Sequence, residues 1–452
     1  MPVNWERARQ DALAIFRAAV ARVEPCEMVA SALNIEDGAL VVRSGLDEAR
    51  FSLADHDRIV VAGLGKAAAA MARGAERILG SRITDGVVAV KAGCADRPTR
   101  LPIVEAGHPL PDRGSLEAAA RILALGRGLD ERSLAIVLLS GGGSSIACAP
   151  AEGLTLEDKV EATGLLLSCG ATIQEVNCVR KHLSAIKGGR LAAAYWPATV
   201  LTLVLSDVIG DDLDAIASGP TVPDRTSFAD ALAIVRRYGL ERRLPDNVAQ
   251  RLREGAEGSL PDTPKPGDRV FERTRTALLG TNRLALLAAR EKAVALGYSS
   301  LVLTSRLTGE ARDQAPLFLA IGKDIAASGF PLARPACLIA GGETTVTLRG
   351  SGKGGRNQEM ALAFLSALAD SPAGGEELLF LAASTDGSDG PTDAAGAFAS
   401  SALLAQARAA GLDPAAYLAN NDSYAFFEAC GGLLRTGSTD TNVCDLQVLL
   451  AP

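Results

Sequence analysis

The chain has 452 residues, 48% of them hydrophobic and only 4% aromatic, with a formal net charge of −7. That length exceeds what one hydrophobic core usually supports, and an apolar content made mostly of Ala, Leu and Val suits helices flanking buried parallel strands, so the prior is an α/β protein of two domains. Acids and bases are mixed with no basic tract to neutralise a phosphate backbone, which argues against nucleic acid as a partner, and the longest apolar runs are far too short to cross a bilayer.

From the N-terminus, MPVNWERARQDALAIFRAAVARVEP (1–25) reads as an amphipathic helix that could pack on either domain. It lacks the uninterrupted apolar core and cleavage signal of an export peptide, which predicts a cytoplasmic protein. The eight cysteines are scattered without a C-x-x-C pair, as reduced structural thiols are, and no two of the three histidines are spaced to share zinc. Short apolar runs then recur, each ending in a glycine-rich or polar turn: RIVVAG (58–63), GVVAVKAG (86–93), LAIVLLSGGG (134–143), ATVLTLVLSD (198–207), TALLGTN (276–282), SLVLTS (300–305), ACLIAGGE (336–343) and LLFLAASTDG (378–387). A helical pattern generally follows. This is the signature of parallel βαβ units, in which ligands bind at the carboxyl ends of the strands.

The first turn, GLGKAA (63–68), satisfies G-x-G-x-x-A, the weak form of a dinucleotide fingerprint. The acidic residue that would hold a ribose is missing at the end of the next run, where Lys91 stands, so NAD is disfavoured and NADP stays formally open. Lys66, one of only nine lysines, sits at the mouth of a helix, where a cation is unfavourable unless an anion occupies the site. In SGGGSS (140–145), consecutive glycines let backbone N–H groups converge on one anion, and the serines add hydroxyl donors. VRKHLSAIKGGRLA (179–192) clusters Arg180, Lys181, His182, Lys187 and Arg190; on a helix Arg180, Ser184 and Lys187 share a face, readable as a solvated basic surface or as an anion-facing terminus.

SDVIGDDLDAIASGPTVPD (206–224) begins with Asp207 at a strand end and adds Asp211, Asp212 and Asp214. TDGSDGPTDAAGA (385–397) does the same with Asp386, Asp389 and Asp393. Acidic and cationic loops at strand ends suit magnesium-assisted phosphoryl transfer, with Asp207, Asp386 and Asp389 as candidate ligands, although an Asx turn accounts for any one of them. No Walker A, protein-kinase signature or G-x-S-x-G occurs; each GK pair, at 65–66, 322–323 and 352–353, is followed by Ala, Asp or Gly. Between GPTVPDRTS (219–227) and PDTPKPGDR (261–269) the chain turns polar and proline-rich, which places a domain boundary near residue 240. Further on, the glycines of GGETTVTLRGSGKGGRNQEMAL (341–362) are costly to order and must serve a tight geometry or a close approach.

Taken in order, GLGKAA, EAGHPLPD (105–112), LLSGGGSS, VRKHLSAIKGGRLA, SDVIGDDLDAIASGPTVPD, GGETTV, GGRNQE and STDGSDGPTDAAGA resemble the glycerate 2-kinases with a MOFRL domain, from about residue 10 to the C-terminus. The resemblance implies two α/β domains with an active-site cleft between them: a Rossmann-like domain with a parallel sheet at 1–240, and a domain at 241–452 carrying the MOFRL region from about Leu338. It implies ATP- and magnesium-dependent phosphorylation of D-glycerate to 2-phosphoglycerate, with these small molecules as the partners and a homodimer left open. Lys66 and Arg356, the lysine of the GKA turn and the arginine of GGRNQE, are implied as the catalytic pair. On this reading Asp207 or Asp386 orients the glycerate hydroxyl or holds the metal. Phosphates rest on Ser140, Gly141, Gly142, Gly143 and Ser144 or on Gly354 and Gly355, while Gly65, His108, Arg180, Lys187 and Glu343 contact substrate and Glu359 orients cations.

The final motif, TGSTDTNVCDL (436–446), departs from the family's usual TGPTGTNVNDL at Ser438, Asp440 and Cys444, and keeps Thr439 and Asn442 as further phosphate contacts. Two other functions stay open at this point. One is an NAD(P)H-dependent hydroxypyruvate reductase, supported by the G-x-G-x-x-A turn alone; the other is a non-catalytic protein that binds a sugar acid or another anion.

Overall fold

The computed structural model describes residues 4–45, 47–93, 99–371 and 374–452, so Cys94 lies outside the described residues. It divides into two compact units, Pro25–Leu279 and Met1–Glu24 with Gly280–Pro452. The boundary expected near residue 240 therefore falls about forty residues later. The polar stretch is no linker: the helices Phe228–Arg237 and Asp246–Ala256 bury Phe228, Val235, Val248 and Leu252 in one apolar cluster with Val176 and Leu166. Beyond them the strand Thr274–Gly280 joins the first sheet at its edge.

In the unit Pro25–Leu279 the main sheet runs, in spatial order, Ile103–Ala106, Ile83–Lys91, Arg58–Leu64, Ser133–Leu139, Thr199–Leu205 and Thr274–Gly280. The first five are parallel to their neighbours. Ser133–Leu139 is buried at every position, as a strand covered on both faces by helices must be, which is why its sequence is continuously apolar rather than alternating. Leu64 pairs with Ala89 and Leu139, and Leu139 pairs with Val204. The turns beginning at Gly65, Ser140 and Ser206 thus leave the sheet at one edge.

A three-stranded antiparallel sheet, Leu33–Glu36, Ala39–Ser44 and Asp47–Ser52, precedes this sheet and was not expected. Its first turn carried a readable signal. Asp37 and Gly38 both hold positive φ, 51° and 76°, as the tight two-residue hairpin turn requires, and Asp-Gly is the dipeptide that favours it.

The other unit differs from the expected run of parallel βαβ units. Its sheet runs Ser299–Leu307, Ala336–Gly342, Asp445–Ala451, Leu379–Ser384, Gly396–Ser400 and Leu433–Leu434, and only the first pair is parallel. The C-terminal strand Asp445–Ala451, buried throughout, runs antiparallel between Ala336–Gly342 and Leu379–Ser384. Asp445 pairs with Gly342 on one side and with Ser384 on the other, so the loops after those two strands begin beside it.

The N-terminal helix Trp5–Arg22 belongs to this second unit. It buries Ala8, Ala12, Ile15, Phe16 and Ala19 along one face and is capped by Asn4, and Tyr298 donates to Asp11 at 2.9 Å. Among the described residues the cysteines are free thiols, and no helix is long and apolar enough to cross a membrane.

Candidate active site

At the edge of the parallel sheet, two turns are knitted together. Gly65 takes φ +133°, and a side chain there would stand 2.2 Å from Ser140 Oγ, so only glycine fits. Lys66 N donates to Gly141 O at 2.9 Å, and Ala67 N donates to Ser140 Oγ at 3.0 Å. Ser140 therefore locks the two turns, with a buried hydroxyl.

The triple glycine has a separate reason at each position. A Cβ on Gly141 would lie 2.0 Å from Asp207 Oδ2, Gly142 holds φ +80° against the His108 ring, and Gly143 packs on Ala217 and Leu64. Among the described residues the N–H groups of Gly141, Gly142 and Ser144 have no hydrogen-bond acceptor, and neither does the Lys66 ammonium. A glycine turn that presents three such N–H groups beside a lysine can receive an anion. The structure brings together Gly65, Lys66, His108, Gly141, Gly142 and Asp207.

His108 contributes polarity rather than charge. Burial, then Lys66 and Lys91, push its pKa down to about 4, so its imidazole is neutral at physiological pH. Lys187 positions a turn instead of meeting substrate. Its buried ammonium donates to Ser144 O at 2.7 Å and Ser144 Oγ at 2.9 Å, and Ser144 Oγ continues to Ser218 Oγ at 3.0 Å. Burial, then Arg180 and Lys159, lower the Lys187 pKa well below the ordinary lysine value.

The basic run does not form one continuous helical face. The helix Ile173–His182 stops before Ser184, and Gly188 and Gly189, at φ +58° and +79°, turn the chain into a second helix. Lys181 is structural, fully buried between Asp214 and Asp224. Arg180 makes no hydrogen bond or ion pair among the described residues, and burial lowers its pKa.

In the unit that carries Gly280–Pro452, Arg356 opens the helix Arg356–Ala369 and is gripped by acids. Its Nε and Nη2 donate to Asp445 at 2.6 and 3.0 Å, and its Nη1 donates to Glu343 at 2.6 Å. Burial works against the cation, yet Asp445 and Glu343 outweigh it and raise its pKa. Asp445, to which the sequence motif assigned no role, is completely buried at the start of an apolar strand. Burial, against the pull of Arg356, brings its pKa up to about 6.

The glycine-rich loop corrects an expectation. The family resemblance implies that the amides from Gly350 to Gly355 face a phosphoryl group or the glycerate carboxylate, but Arg349 N and Gly350 N donate to Asn421 Oδ1 at 2.7 and 3.0 Å, Ser351 N to Asn420 Oδ1 at 3.2 Å, Gly352 N to Asn420 O at 3.0 Å, and Lys353 N to Asp422 Oδ1 at 3.0 Å. A Cβ on Gly350 would lie 2.4 Å from Asn420 O, and one on Gly352 2.4 Å from Asp422 Cβ. These glycines let the loop dock on residues 420–422. From Arg349 to Gly355, the N–H groups of Gly354 and Gly355 are the two without an acceptor among the described residues.

Several acids also change place. Asp389, expected to hold magnesium, is 2% exposed and caps the helix Arg356–Ala369: its Oδ1 accepts from Asn357 N at 3.1 Å, and its Oδ2 from Gln358 N at 2.9 Å and Gln358 Nε2 at 3.0 Å. Its acceptor sites are filled, so it does not fit a metal. Glu359, expected to orient cations of the site, is buried and pairs with Arg312 at 2.8 Å and with Asn421 at 2.8 Å. Asp386 keeps one carboxylate oxygen outside its Asx turn: Oδ1 accepts from Ser384 Oγ at 2.8 Å and Ser388 N at 2.9 Å, while Oδ2 has no partner among the described residues. The Thr439 hydroxyl donates to Thr385 O, which ties two loops together, and Asn442 Oδ1 accepts from Cys444 N at 3.0 Å while its Nδ2 stays unengaged among the described residues.

Fold and site together define an α/β protein of two units, one with anion-receiving glycine turns and the other with a helix-opening arginine held by carboxylates. Residues 11–253 match the family described as a domain of unknown function (DUF4147), and residues 336–445 match the MOFRL family. The chain is 42% identical to a D-glycerate 2-kinase of Thermotoga maritima, over 87% of this chain and 90% of the relative. It is also 42% identical to an Agrobacterium vitis protein with a provisional hydroxypyruvate reductase name, over 100% of this chain and 96% of the relative. The crystal structure of a glycerate kinase from Thermotoga maritima superposes with a TM-score of 0.87 at 38% identity, covering 99% of this chain and 100% of that one. The chain belongs to the glycerate 2-kinase family with a MOFRL domain.

Proposed function

We propose that the protein is a glycerate 2-kinase that transfers the γ-phosphoryl group of ATP to the C2 hydroxyl of D-glycerate. The observation that carries this reading is the turn pair at the edge of the parallel sheet: N–H groups of Gly141, Gly142 and Ser144 and a Lys66 ammonium that are unpaired among the described residues, and the Asp207 carboxylate packed on Gly141. The three N–H groups hold phosphate oxygens without carrying net charge, and Lys66 adds a cation to stabilise the phosphoryl group as it transfers. Asp207 accepts the hydrogen bond of the attacking hydroxyl and takes its proton as the new P–O bond forms and ADP departs. Neutral His108 orients a substrate oxygen without competing with Lys66 for the phosphoryl charge. Arg356, the second member of the pair implied by the family, is set by Asp445, so its fork is pre-oriented before substrate arrives.

Asp207 in one unit or Asp386 in the other would supply the hard oxygen donors that magnesium takes, whereas Asp389, its oxygens occupied, does not fit. Magnesium, when bound, neutralises charge on the phosphates. The reading is of a cytoplasmic enzyme acting on small molecules.

A coupled assay of ADP formation tests the proposal. D-glycerate should drive ADP release in a magnesium-dependent manner. NADPH oxidation with hydroxypyruvate and no ADP release would instead assign the GLGKAA turn to a dinucleotide; the strand that should then end in an acid ends at Lys91.

A further inference from the structure

Within the unit Pro25–Leu279 a cavity of about 570 Å³ shares no residue with the glycine turns. Arg190, Arg251, Ser184, Leu260, Asp262 and Pro264 line it. That volume is in the range of small-molecule sites. Arg190 makes no side-chain hydrogen bond or ion pair among the described residues; its Nε and Nη2 are shut off from solvent without an acceptor, which leaves Nη1 as the nitrogen open to the cavity. Arg190 is partly buried, and a guanidinium with two enclosed nitrogens left unpaired is unfavourable and needs a reason.

Arg251, in the same cavity wall, donates only to main-chain oxygens, Nε to His182 O at 3.0 Å and Nη1 to Glu152 O at 3.4 Å. The carboxylate that could neutralise the pair is already taken. Asp262 Oδ1 lies 2.9 Å from His182 Nε2, accepts from Thr263 N at 2.7 Å and pairs with Lys265 at 3.1 Å, while its Oδ2 accepts from Phe228 N at 3.3 Å. Glu152 is exposed at the rim. Two guanidinium groups thus share a cavity whose one inner acid serves other donors. Burial, then the charge of Arg251, depresses the cationic form of Arg190.

We propose that this cavity is a second anion site, taking a small carboxylate or phosphate whose oxygens bridge Arg190 and Arg251. Both anions match the planar fork of arginine, which can hold two oxygens at once. The carbon body of the ligand lies on Ala193, Leu260 and Pro264.

The test is a calorimetric titration of inorganic phosphate into the full-length protein and into its Arg190→Gln, Arg251→Gln and Lys66→Ala variants. Binding is expected in the unmodified protein, is kept in Lys66→Ala, and weakens at least about tenfold in each arginine variant, as the loss of a charge-assisted hydrogen bond predicts. Thermal unfolding separates site from fold: in the Lys66→Ala background, where the glycine turns are weakened, the arginine variants melt without phosphate as cooperatively as Lys66→Ala itself, and phosphate no longer raises their Tm. Glu152→Gln, which removes the rim acid near Arg251, should tighten binding. The proposal is overturned if millimolar phosphate does not bind, if affinity is unchanged in Arg190→Gln, or if binding vanishes in Lys66→Ala while surviving in both arginine variants, which would locate the anion at the glycine turns. Should Arg190→Gln fail to fold, Arg251→Gln decides the matter alone.

Discussion

Cys444 and Asp440 hold left-handed backbone, φ +66° and +68°, in the last loop of the chain. They are two of the three positions at which this sequence departs from the family's usual motif, which has Asn and Gly there, the residue types that tolerate this conformation best. Cys444→Asn should therefore stabilise the protein by up to about 1 kcal/mol, read as a higher urea midpoint at unchanged slope. A lower midpoint would mean that contacts of the thiol, such as that with Glu343 Oε2 at 4.0 Å, outweigh the backbone term.

His108 gives a pH prediction. Its folded pKa is depressed from the ordinary value of 6.5 to about 4, so the unfolded chain binds a proton that the folded one refuses between those values. Its stabilising contribution is complete above pH 6.5 and is lost as pH falls toward 4. His108→Gln should flatten the fall in unfolding free energy across that window and change little at about pH 8. Buried His182, also depressed, leaves a residual slope of the same sign. An unchanged profile in His108→Gln would contradict the neutral, desolvated imidazole. At this scale the tight turns at Gly65 and the triple glycine were legible, because local backbone demands select glycine at a strand's end. Asp445 and Asn421 were not, since their roles depend on partners 89 and 72 residues away.

Among the elements, the loop 348–355 shows how a correct observation can carry an incomplete reason. Its glycines do permit close approach, but at Gly350 and Gly352 what approaches is the turn at 420–422. Asn421 accepts two loop amides and donates to Glu359, so Asn421→Ala should destabilise by about 2–3 kcal/mol and raise amide exchange in the loop first. Loss of stability with an unchanged loop exchange rate would place the asparagine's role elsewhere. The acidic loop at 385–397 divides likewise between a site and a scaffold. Asp389→Ala, which removes a buried helix cap, should cost roughly 1–2 kcal/mol, and Asp389→Asn should leave the magnesium dependence of turnover unaltered. A raised magnesium requirement in Asp389→Asn would return that residue to the metal.

The apolar strands Arg58–Leu64, Ser133–Leu139 and Thr199–Leu205 were readable because burial on both faces makes them continuous. The antiparallel insertion of Asp445–Ala451 was not, since a buried strand looks the same in either direction. The hairpin turn at Asp37 and Gly38 was readable and went unread.

At the level of the whole molecule, the family was legible because eight loop motifs recur in order along the chain, and the matches at 11–253 and 336–445 fall in those same regions. The unit boundary was less so. Proline and charge suggest a linker, yet residues 228–273 bury apolar faces of two helices before the sheet's edge strand begins, and only tertiary packing distinguishes the two cases. If the turns holding Lys66 and the glycine N–H groups serve phosphoryl transfer to glycerate, phosphorus NMR of a reaction containing D-glycerate, ATP and magnesium reads it most directly. The prediction is a 2-phosphoglycerate resonance with the unmodified enzyme, diminished at least about a hundredfold in rate in Lys66→Ala and in Arg356→Ala, both still folded. No phosphoglycerate from the unmodified protein, or undiminished product from folded Lys66→Ala, would contradict it.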